Sequence, residues 1–584
     1  MSEDAKDLPM PPIRCRPSVV IALAGAVAWS APVGPAQAQP IDLDRQVGDA
    51  LNRLERDAET RRQEVERERR RDTPPQPAPA MPEAAPRAAS PQCVSVEKVE
   101  IAGWEPFGEA PQEARVLAGR CIGVADIAAA VSDVNRGYQG RGHITSRVYV
   151  PAQNPAATGV LKLVVVPGVI TGMRYSDGRP ADLRLVAAFP TRADGVLDLR
   201  RLEQGLDNLN AVPSQKATFK LIPGEKTGET TVEVAMEEKR RWRVSGTLDN
   251  SGYKSTGVYK GKLDAAFDGL LGLNDQVSVG LTGNVDRWSG DRWSNAHVSQ
   301  DYSASYGFSW QEWSFSFGVG RQEYGIDIPG INKTYRADGH SMRGSIGVER
   351  LLWRNQTTKT YLWADLTRKS ARNFILGEEI LTQRRDLTIA GVGLRGKIYA
   401  GDTVLEWRGG GRFGLDLFGA ARPLGPARQE FAIAVADARL TTPLFGGALV
   451  LRSAFAAQWS DDPLPGSELF SVGGRSDVRG FHEEVLSGTS GFRLRNDLER
   501  TLWSDDVAGR TAKLTGFVGF DFGRVKLADG VSRSTPWLAG AAVGGRLQLG
   551  NELALDLTWS RALHRPNEFK TDADLIHAAL TVAY

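Results

Sequence analysis

From Arg241 to the C-terminus, apolar and polar residues alternate with a period of two, in long segments separated by turn-rich stretches. The last segment is the clearest: Ile576, Ala578, Leu580, Val582 and Tyr584 alternate with His577, Ala579, Thr581 and Ala583. Successive side chains of a strand point to opposite faces, so the first set would meet lipid and the second a polar lumen. At roughly 20 residues per strand plus connection, residues 241–584 accommodate about sixteen such strands. The expected fold is an all-β membrane barrel of about 16 antiparallel strands.

Upstream the period changes. Residues 93–168 predict a small β-α-α-β-β domain, with strands at Val96–Ile101, Ile144–Val150 and Gly159–Val166. Its helices are a short one over Glu113–Leu117 and a longer one over Ala125–Tyr138, with Ile127, Val131, Val134 and Tyr138 on one face. Residues 169–240 repeat this order: strand Val169–Tyr175, short helix Leu183–Phe189, helix Asp198–Leu209, strands Ala217–Leu221 and Thr230–Met236. Leu199, Leu202, Leu206 and Leu209 align on the longer helix and predict its core face. Two units of one element order suggest an internal duplication.

Ahead of these, residues 39–71 predict a helix, with Leu43, Val47, Leu51 and Leu54 at helical spacing and charge dominating from Glu55 to Arg71. Such a helix suits a water-filled cavity. Residues 72–92, rich in Pro and Ala, form a flexible linker. Residues 1–38 predict a secretory signal: Arg14 and Arg16, an apolar core from Val19 to Ala31, then Ala36-Gln37-Ala38 as cleavage site. Met10 is an alternative start.

Composition narrows the class. The chain of 584 residues carries 72 basic and 70 acidic side chains, without the basic surplus of a nucleic-acid binder. Glycine (63) and tryptophan (14) are abundant, while the mean hydropathy is −0.29. A barrel with a polar lumen combines these features. After the signal, no apolar run reaches the roughly 18 residues of a membrane helix. Of three cysteines, Cys15 falls in the signal, which leaves Cys93 and Cys121 either as a disulfide or as two buried thiols. The export signal favours the disulfide.

No enzymatic constellation emerges. Six histidines are scattered without metal-ligand spacing, and no GxxxxGK[ST] loop occurs. His482 beside Glu483 and Glu484 reads as a polar loop in a wet lumen. No metal or cofactor is expected. The stretch that stands out is Ser471–Phe481, SVGGRSDVRGF, which ends in Val478-Arg479-Gly480-Phe481. About forty residues later a strand carries Gly519-Phe520-Asp521-Phe522-Gly523. An arginine in a partly dehydrated lumen needs a carboxylate. The expectation is therefore a loop folded back into the barrel, with Arg479 on Asp521, Gly480 allowing a sharp turn, and Gly523 on the same wall.

Taken together, several stretches resemble the two-partner secretion transporters, the TpsB family, in its haemolysin secretion/activation branch. They are GRCIGVADI (Gly119–Ile127), GYQGRGHITSRVYVPAQN (Gly137–Asn154), LRRLEQGLDNLNAVPSQKA (Leu199–Ala217), LIPGEKTGET (Leu221–Thr230), LDNSGYKSTG (Leu248–Gly257), LLGLND (Leu270–Asp275), VRGF and the Gly519–Gly523 strand. The resemblance implies two periplasmic polypeptide-transport-associated (POTRA) domains, 93–168 and 169–240, and an outer-membrane barrel over 241–584. It also implies a pore-plugging helix at 39–71. Phe481 departs from the tyrosine many relatives carry, which removes a phenolic hydrogen bond but keeps the ring.

The function this implies is translocation of an unfolded exoprotein of the haemolysin or adhesin type, with activation of that client left open. An unfolded client could add a strand to a POTRA sheet edge. Val169, Ile170 and Thr171 on one strand and Ala217, Thr218 and Phe219 on another are the candidates. The expected partners are this exoprotein, outer-membrane lipid and the barrel-assembly machinery; no nucleic acid is expected, and the protein would be a monomer. The alternatives are an outer-membrane assembly or insertion factor and, from another class, a passive porin or nutrient receptor, which would need no POTRA repeat.

Overall fold

The computed structural model describes residues 93–584, apart from 192–194, 286–297, 330–332, 422–426, 528–534, 568 and 570–573. The signal, plug helix and linker expected over 1–92 lie outside the described residues.

Sixteen long antiparallel strands close into a barrel, with two short strands, Glu378–Glu379 and Phe470–Val472, added to it. The first strand, Trp242–Asp249, pairs with the last, Leu575–Ala583, from Ser245 opposite Ala583 to Asp249 opposite Ala579. Tyr584 extends this seam by exchanging two backbone hydrogen bonds with Val244 at 2.8 and 3.0 Å. The alternation of the last strand is realised: Ile576 and Val582 are more than half exposed on the outer face, while Ala579 is buried. Leu263, Val279, Val319, Ile346, Val392, Phe520 and Leu557 belong to the same exposed apolar surface. In water that surface would be costly; in a bilayer it is the matching solvent.

In the first small domain, Lys98–Ala102 runs parallel to Val160–Val166, which pairs on its other side with Arg147–Tyr149. Helix α1, Val124–Gly140, packs Ala130, Val134 and Tyr138 against Val148, Leu161 and Leu163. Three local expectations differ. The strand expected over Val96–Ile101 is split into Val94–Val96 and Lys98–Ala102. The helix expected over Glu113–Leu117 is a single 3-10 turn, Arg115–Leu117. The strand expected from Ile144 begins only at Arg147, because residues 142–146 are spent in turns.

Val94–Val96 pairs instead with an unforeseen strand, Arg120–Ile122, and there Cys93 and Cys121 are disulfide-bonded with their Cα atoms 5.3 Å apart. Closing a 28-residue separation stabilises a domain by roughly 3–4 kcal/mol in the chain-entropy account. Thiol labelling of the unreduced mature protein should therefore find neither cysteine free, and reduction should lower the melting temperature of the periplasmic part. Labelling of both before reduction would refute the pairing.

In the second domain, helices α2 (Leu183–Ala188) and α3 (Leu199–Asn210) cover a four-stranded sheet. Asp198 caps α3 by accepting from the Arg200 N–H at 2.8 Å. Leu199, Leu202, Leu206 and Leu209 are buried, Leu202, Leu206 and Leu209 in one core with Leu185, Phe189, Val232 and Val234. Fully burying one such leucine contributes roughly 1.5–3 kcal/mol.

The sheet order is Gly195–Val196, Val169–Tyr175, Glu229–Glu238, Gln215–Pro223. Val169–Tyr175 is therefore an interior strand, against expectation. Val169 pairs with Val196 and Ile170 with Gly195, while the other side is taken by Glu229–Val234 in parallel. Thr171 falls in the register shift and bonds Thr230 O through its hydroxyl at 3.5 Å. The two-residue strand that covers this edge was too short to leave a period. Gln215–Pro223, which carries Ala217, Thr218 and Phe219, is the outermost strand.

Candidate functional site

Because Trp242–Asp249 starts from the small-domain end, every odd-numbered strand runs away from it. The eleventh strand, Leu449–Trp459, therefore ends at the far rim, and residues 460–485 leave from there. They do not continue outward. Phe470–Val472 pairs with Leu486–Gly488 at the start of the twelfth strand, and the chain then descends along the inner wall.

At the loop tip the Arg479 guanidinium forms a two-pronged pair with Asp521: Nε to Oδ2 at 2.7 Å and Nη2 to Oδ1 at 2.8 Å. The Arg479 backbone N–H adds a third bond to Asp521 Oδ2 at 3.0 Å. A second carboxylate, Asp497 on strand Leu486–Val507, lies 2.6 Å from Nη2. Arg479 is 3% exposed and Asp521 fully buried, so these are charge pairs with little water between them. Asp497 was missed from sequence, although it belongs to a readable inward stripe with Arg493, Arg495 and Glu499 at period two. Arg493 and Arg495 hold the same loop, bonding Asp477 Oδ2 at 3.0 Å and Arg475 O at 2.9 Å.

The Gly-x-Asp-x-Gly spacing now has a physical meaning. A period of two turns Gly519, Asp521 and Gly523 inward while Phe520 is exposed outside. A Cβ on Gly519 would lie 2.1 Å from Arg479 Nη2, and one on Gly523 2.3 Å from Val472 Cγ1. On the next strand, Trp537–Leu549, a Cβ on Gly540 would lie 1.7 Å from Arg479 O. Gly480 itself has φ +92° and sits against Arg561 and Ala562, so it needs both the left-handed backbone and the missing side chain. Val478 and Phe481 fill an apolar cluster with Phe470, Val472, Leu486, Val525 and Leu538. The Phe481 ring is 1% exposed.

Past the tip, His482 Nε2 meets Gly252 O at 2.8 Å and its ring lies 5.5 Å from that of Tyr253. Glu483 accepts from the Lys254 N–H at 2.9 Å. These residues thus join the loop to the first outer connection.

A second charged cluster joins the second small domain to the barrel. The polar side of α3 is buried against barrel turns. Asp207 pairs with Lys359 Nζ at 2.6 Å and with Arg354, which also reaches Glu203 at 3.3 Å and Gln204 at 3.0 Å. Asn208 donates to both Ala188 O and Gln311 O, at 2.6 and 2.7 Å. Asp268, at the end of the second strand, is bonded by Arg243 at 2.5 and 3.0 Å, by Gln276 at 3.0 Å and by the Ser214 N–H at 3.1 Å. At the same join, the Arg241 bond, with help from Arg184, holds the Glu238 carboxyl below its ordinary value despite partial burial. Sequence reading assigned this helix only its leucines.

A closed barrel with an apolar outer face, a lumen crossed by an ion-paired loop and two small α+β domains, the second docked at one rim, defines an outer-membrane protein of the POTRA-plus-barrel class. A family model described as haemolysin secretion/activation protein ShlB/FhaC/HecB matches residues 228–547, a ShlB-type POTRA domain matches 94–168 and a POTRA domain matches 170–223. The chain belongs to the ShlB/FhaC/HecB family of two-partner secretion transporters.

It is 30% identical over 477 residues to the outer membrane transporter CdiB-2 of Burkholderia pseudomallei, covering 80% of this chain and 79% of that protein. It is 27% identical over 462 residues to the hemolysin transporter protein ShlB of Serratia marcescens, covering 77% of each. The solved structure of CdiB from Escherichia coli shares the fold, with a TM-score of 0.81 and 23% identity over 94% of this chain and all of that one. The protein is an outer-membrane secretion transporter with periplasmic POTRA domains. Its family separates it from the assembly-factor and porin alternatives.

Proposed function

We propose that the protein captures an unfolded exoprotein of the haemolysin or adhesin type by strand addition at Gln215–Pro223 and passes it through the barrel. The observation that carries this reading is the sheet order, which leaves that strand outermost. Asn210 bonds both backbone groups of Ala217, accepting from its N–H at 2.7 Å and donating to its C=O at 3.2 Å. The Ala217 groups therefore point away from the sheet. In an antiparallel pair such groups recur at every second residue, so Phe219 and Leu221 present theirs to an incoming strand. The Phe219 and Leu221 side chains pack on the domain core, which makes the contact one of main chain and suits an unfolded client of varied sequence.

The VRGF loop is the part of the transport path that must be correctly placed, and the helix of residues 39–71 plugs the pore at rest. The working unit is a monomer that enters the membrane through the barrel-assembly machinery; the alternating strand Leu575–Ala583, which closes the barrel against Trp242–Asp249, supports that route.

Phe219→Pro, read against Phe219→Ala, which loses the same ring but keeps the N–H, tests the edge. Proline is tolerated on an edge strand when its N–H would face outward, so the sheet should survive while one donor is lost. Binding of an unfolded N-terminal fragment of the exported partner to the solubilised protein should weaken about tenfold, the effect of losing about 1.4 kcal/mol, with circular dichroism unchanged. Unchanged affinity would remove this edge from the reading.

A further inference from the structure

The loop of residues 460–485 has two arms of different character. The stem, before Gly473, is tied to the wall at every few residues. Ser460 donates to Ala432 O at 2.7 Å, and Asp462 accepts from the Ala432 N–H at 2.8 Å. Leu464 sits in an apolar cluster with Leu387, Ile389, Phe431 and Ile433. Phe470–Val472 is hydrogen-bonded into the sheet.

At the centre of the stem is Glu468, 2% exposed. Its carboxylate meets Lys369 Nζ at 2.7 Å and Arg412 Nη2 at 3.2 Å, on strands Thr358–Ile375 and Thr403–Leu415. Its backbone carbonyl accepts from Gln458 Nε2 at 2.8 Å. The electrostatics are the inverse of the tip: here one carboxylate serves two cations, whereas at the tip one guanidinium serves two carboxylates. The two anchors hold different walls, so the loop is a strap across the lumen and not a flap on one strand.

Between the arms stand Gly473 and Gly474, with φ +115° and +109°. Glycine alone adopts such angles without strain and can leave them as freely. A Cβ on Gly474 would meet nothing within 4 Å. Gly473 is packed, a Cβ there lying 3.1 Å from Glu484 O, so the room to turn between a heavily tied stem and the ion-paired tip lies at Gly474.

We propose that Glu468 is a positioning residue that keeps the stem fixed to the wall throughout transport, so that movement of the strap is confined to the arm beyond Gly473–Gly474. The inference rests on the reading of this loop as part of the transport path. Glu468 touches no client; it sets where the Arg479 arm starts, through the bonded stem. A purely structural carboxylate would matter for barrel assembly alone. A positioning residue matters for secretion by a barrel that is already assembled.

The test uses the full-length protein with Glu468→Cys and Lys369→Cys together. Cys93 and Cys121 are disulfide-bonded and Cys15 is replaced by serine, so a short bis-maleimide joins only the new pair. Without cross-linker, exoprotein in the medium per heat-modifiable barrel in the outer membrane should fall about tenfold. With the cross-link it should recover, because a covalent tie replaces the ion pair. Secretion abolished by the cross-link would mean that the stem must release, and normal secretion without it would mean that Glu468 is dispensable; either overturns the proposal.

If the double variant does not assemble, Glu468→Gln, which keeps shape and loses charge, is read by the same ratio. Reduced secretion at a normal barrel level supports the proposal, and wild-type secretion overturns it. Arg479→Ala run in parallel separates the two ideas. If it also secretes normally, the loop itself is not part of the path; if it alone fails, only the role of Glu468 is lost.

Discussion

Arg479→Ala should leave the barrel in the outer membrane and stop secretion. The barrel survives because its closure rests on main-chain pairing around the whole sheet and on an outer apolar surface the loop does not touch. What is lost is the cation between Asp521 and Asp497, which leaves Asp521 without its guanidinium in a nearly dry site, while Asp497 keeps Arg495 at 3.4 Å. Breaking a buried pair from one side costs about 3–5 kcal/mol, and 3 kcal/mol alone shifts a docked-to-undocked ratio by roughly a hundredfold.

The geometry also ranks the partners. Asp521 carries the two-pronged bond and the Arg479 backbone N–H, so Asp521→Ala should be severe, yet milder than Arg479→Ala because Asp497 still faces the guanidinium. Asp497→Ala should be the mildest. Arg479→Ala combined with Asp521→Ala should be better than the sum of the two, since both remove one shared interaction and the double change leaves fewer unpaired charges. Arg479→Lys should recover little, because an ammonium cannot reproduce the planar fork. The measure is secreted exoprotein per folded barrel. Normal secretion by Arg479→Ala would show that the tip is not needed.

Asp207→Ala is expected to be the other large effect, and it acts at the opposite rim. Asp207 stands between Arg354 and Lys359, whose side chains are 5% and 1% exposed. Removing it confronts two buried cations with Glu203. The cost falls on the docking of the second POTRA domain, because the leucine face of α3 is untouched and the domain keeps its own core. A loss of about 3 kcal/mol would leave as ties Arg354 on Glu203 and Gln204, Asn208 on Gln311 O, Asp268 on the Ser214 N–H, and Asn274, whose amide donates to Arg184 O at 3.0 Å. Trypsin offers the readout: Lys239, Arg240 and Arg241 lie exposed at the junction, and cleavage there should accelerate in the variant while the barrel keeps its heat-modifiable mobility. Lys359→Met should be mild, since Asp207 keeps Arg354, and adding it to Asp207→Ala should restore part of the protection by removing one of the two cations that Asp207 faces. Cleavage at the wild-type rate in Asp207→Ala would show that the domain is held by other contacts.

What can be read along the chain is what repeats within one element. A period of two sorts lipid-facing from lumen-facing residues, so the barrel and its strand number were legible before any pairing was known. A helical period did the same for Leu199, Leu202, Leu206 and Leu209. A lone buried-type arginine beside a glycine, with one carboxylate on a later strand, was enough to suggest Arg479 on Asp521.

The rest depended on non-local arrangement. Asp497 becomes a partner of Arg479 only because its strand is hydrogen-bonded beside that of Asp521. Glu468 becomes an anchor only because the loop turns inward and reaches Lys369 and Arg412 on two strands far earlier in the chain. The roles of Gly519 and Gly540 are set by what approaches them, since a missing Cβ has no signature until the Arg479 guanidinium and backbone occupy its place. The helical period marks only the leucine face of α3, and it is the barrel turns that bury its polar side. Of the two candidate edge strands, one is outermost and the other interior, for the same reason. Whether Val169–Tyr175 or Gln215–Pro223 lies outermost depends on sheet order, and two residues, Gly195 and Val196, decide it. Side-chain periodicity reports which way each residue points, whereas tertiary structure decides what stands there to meet it.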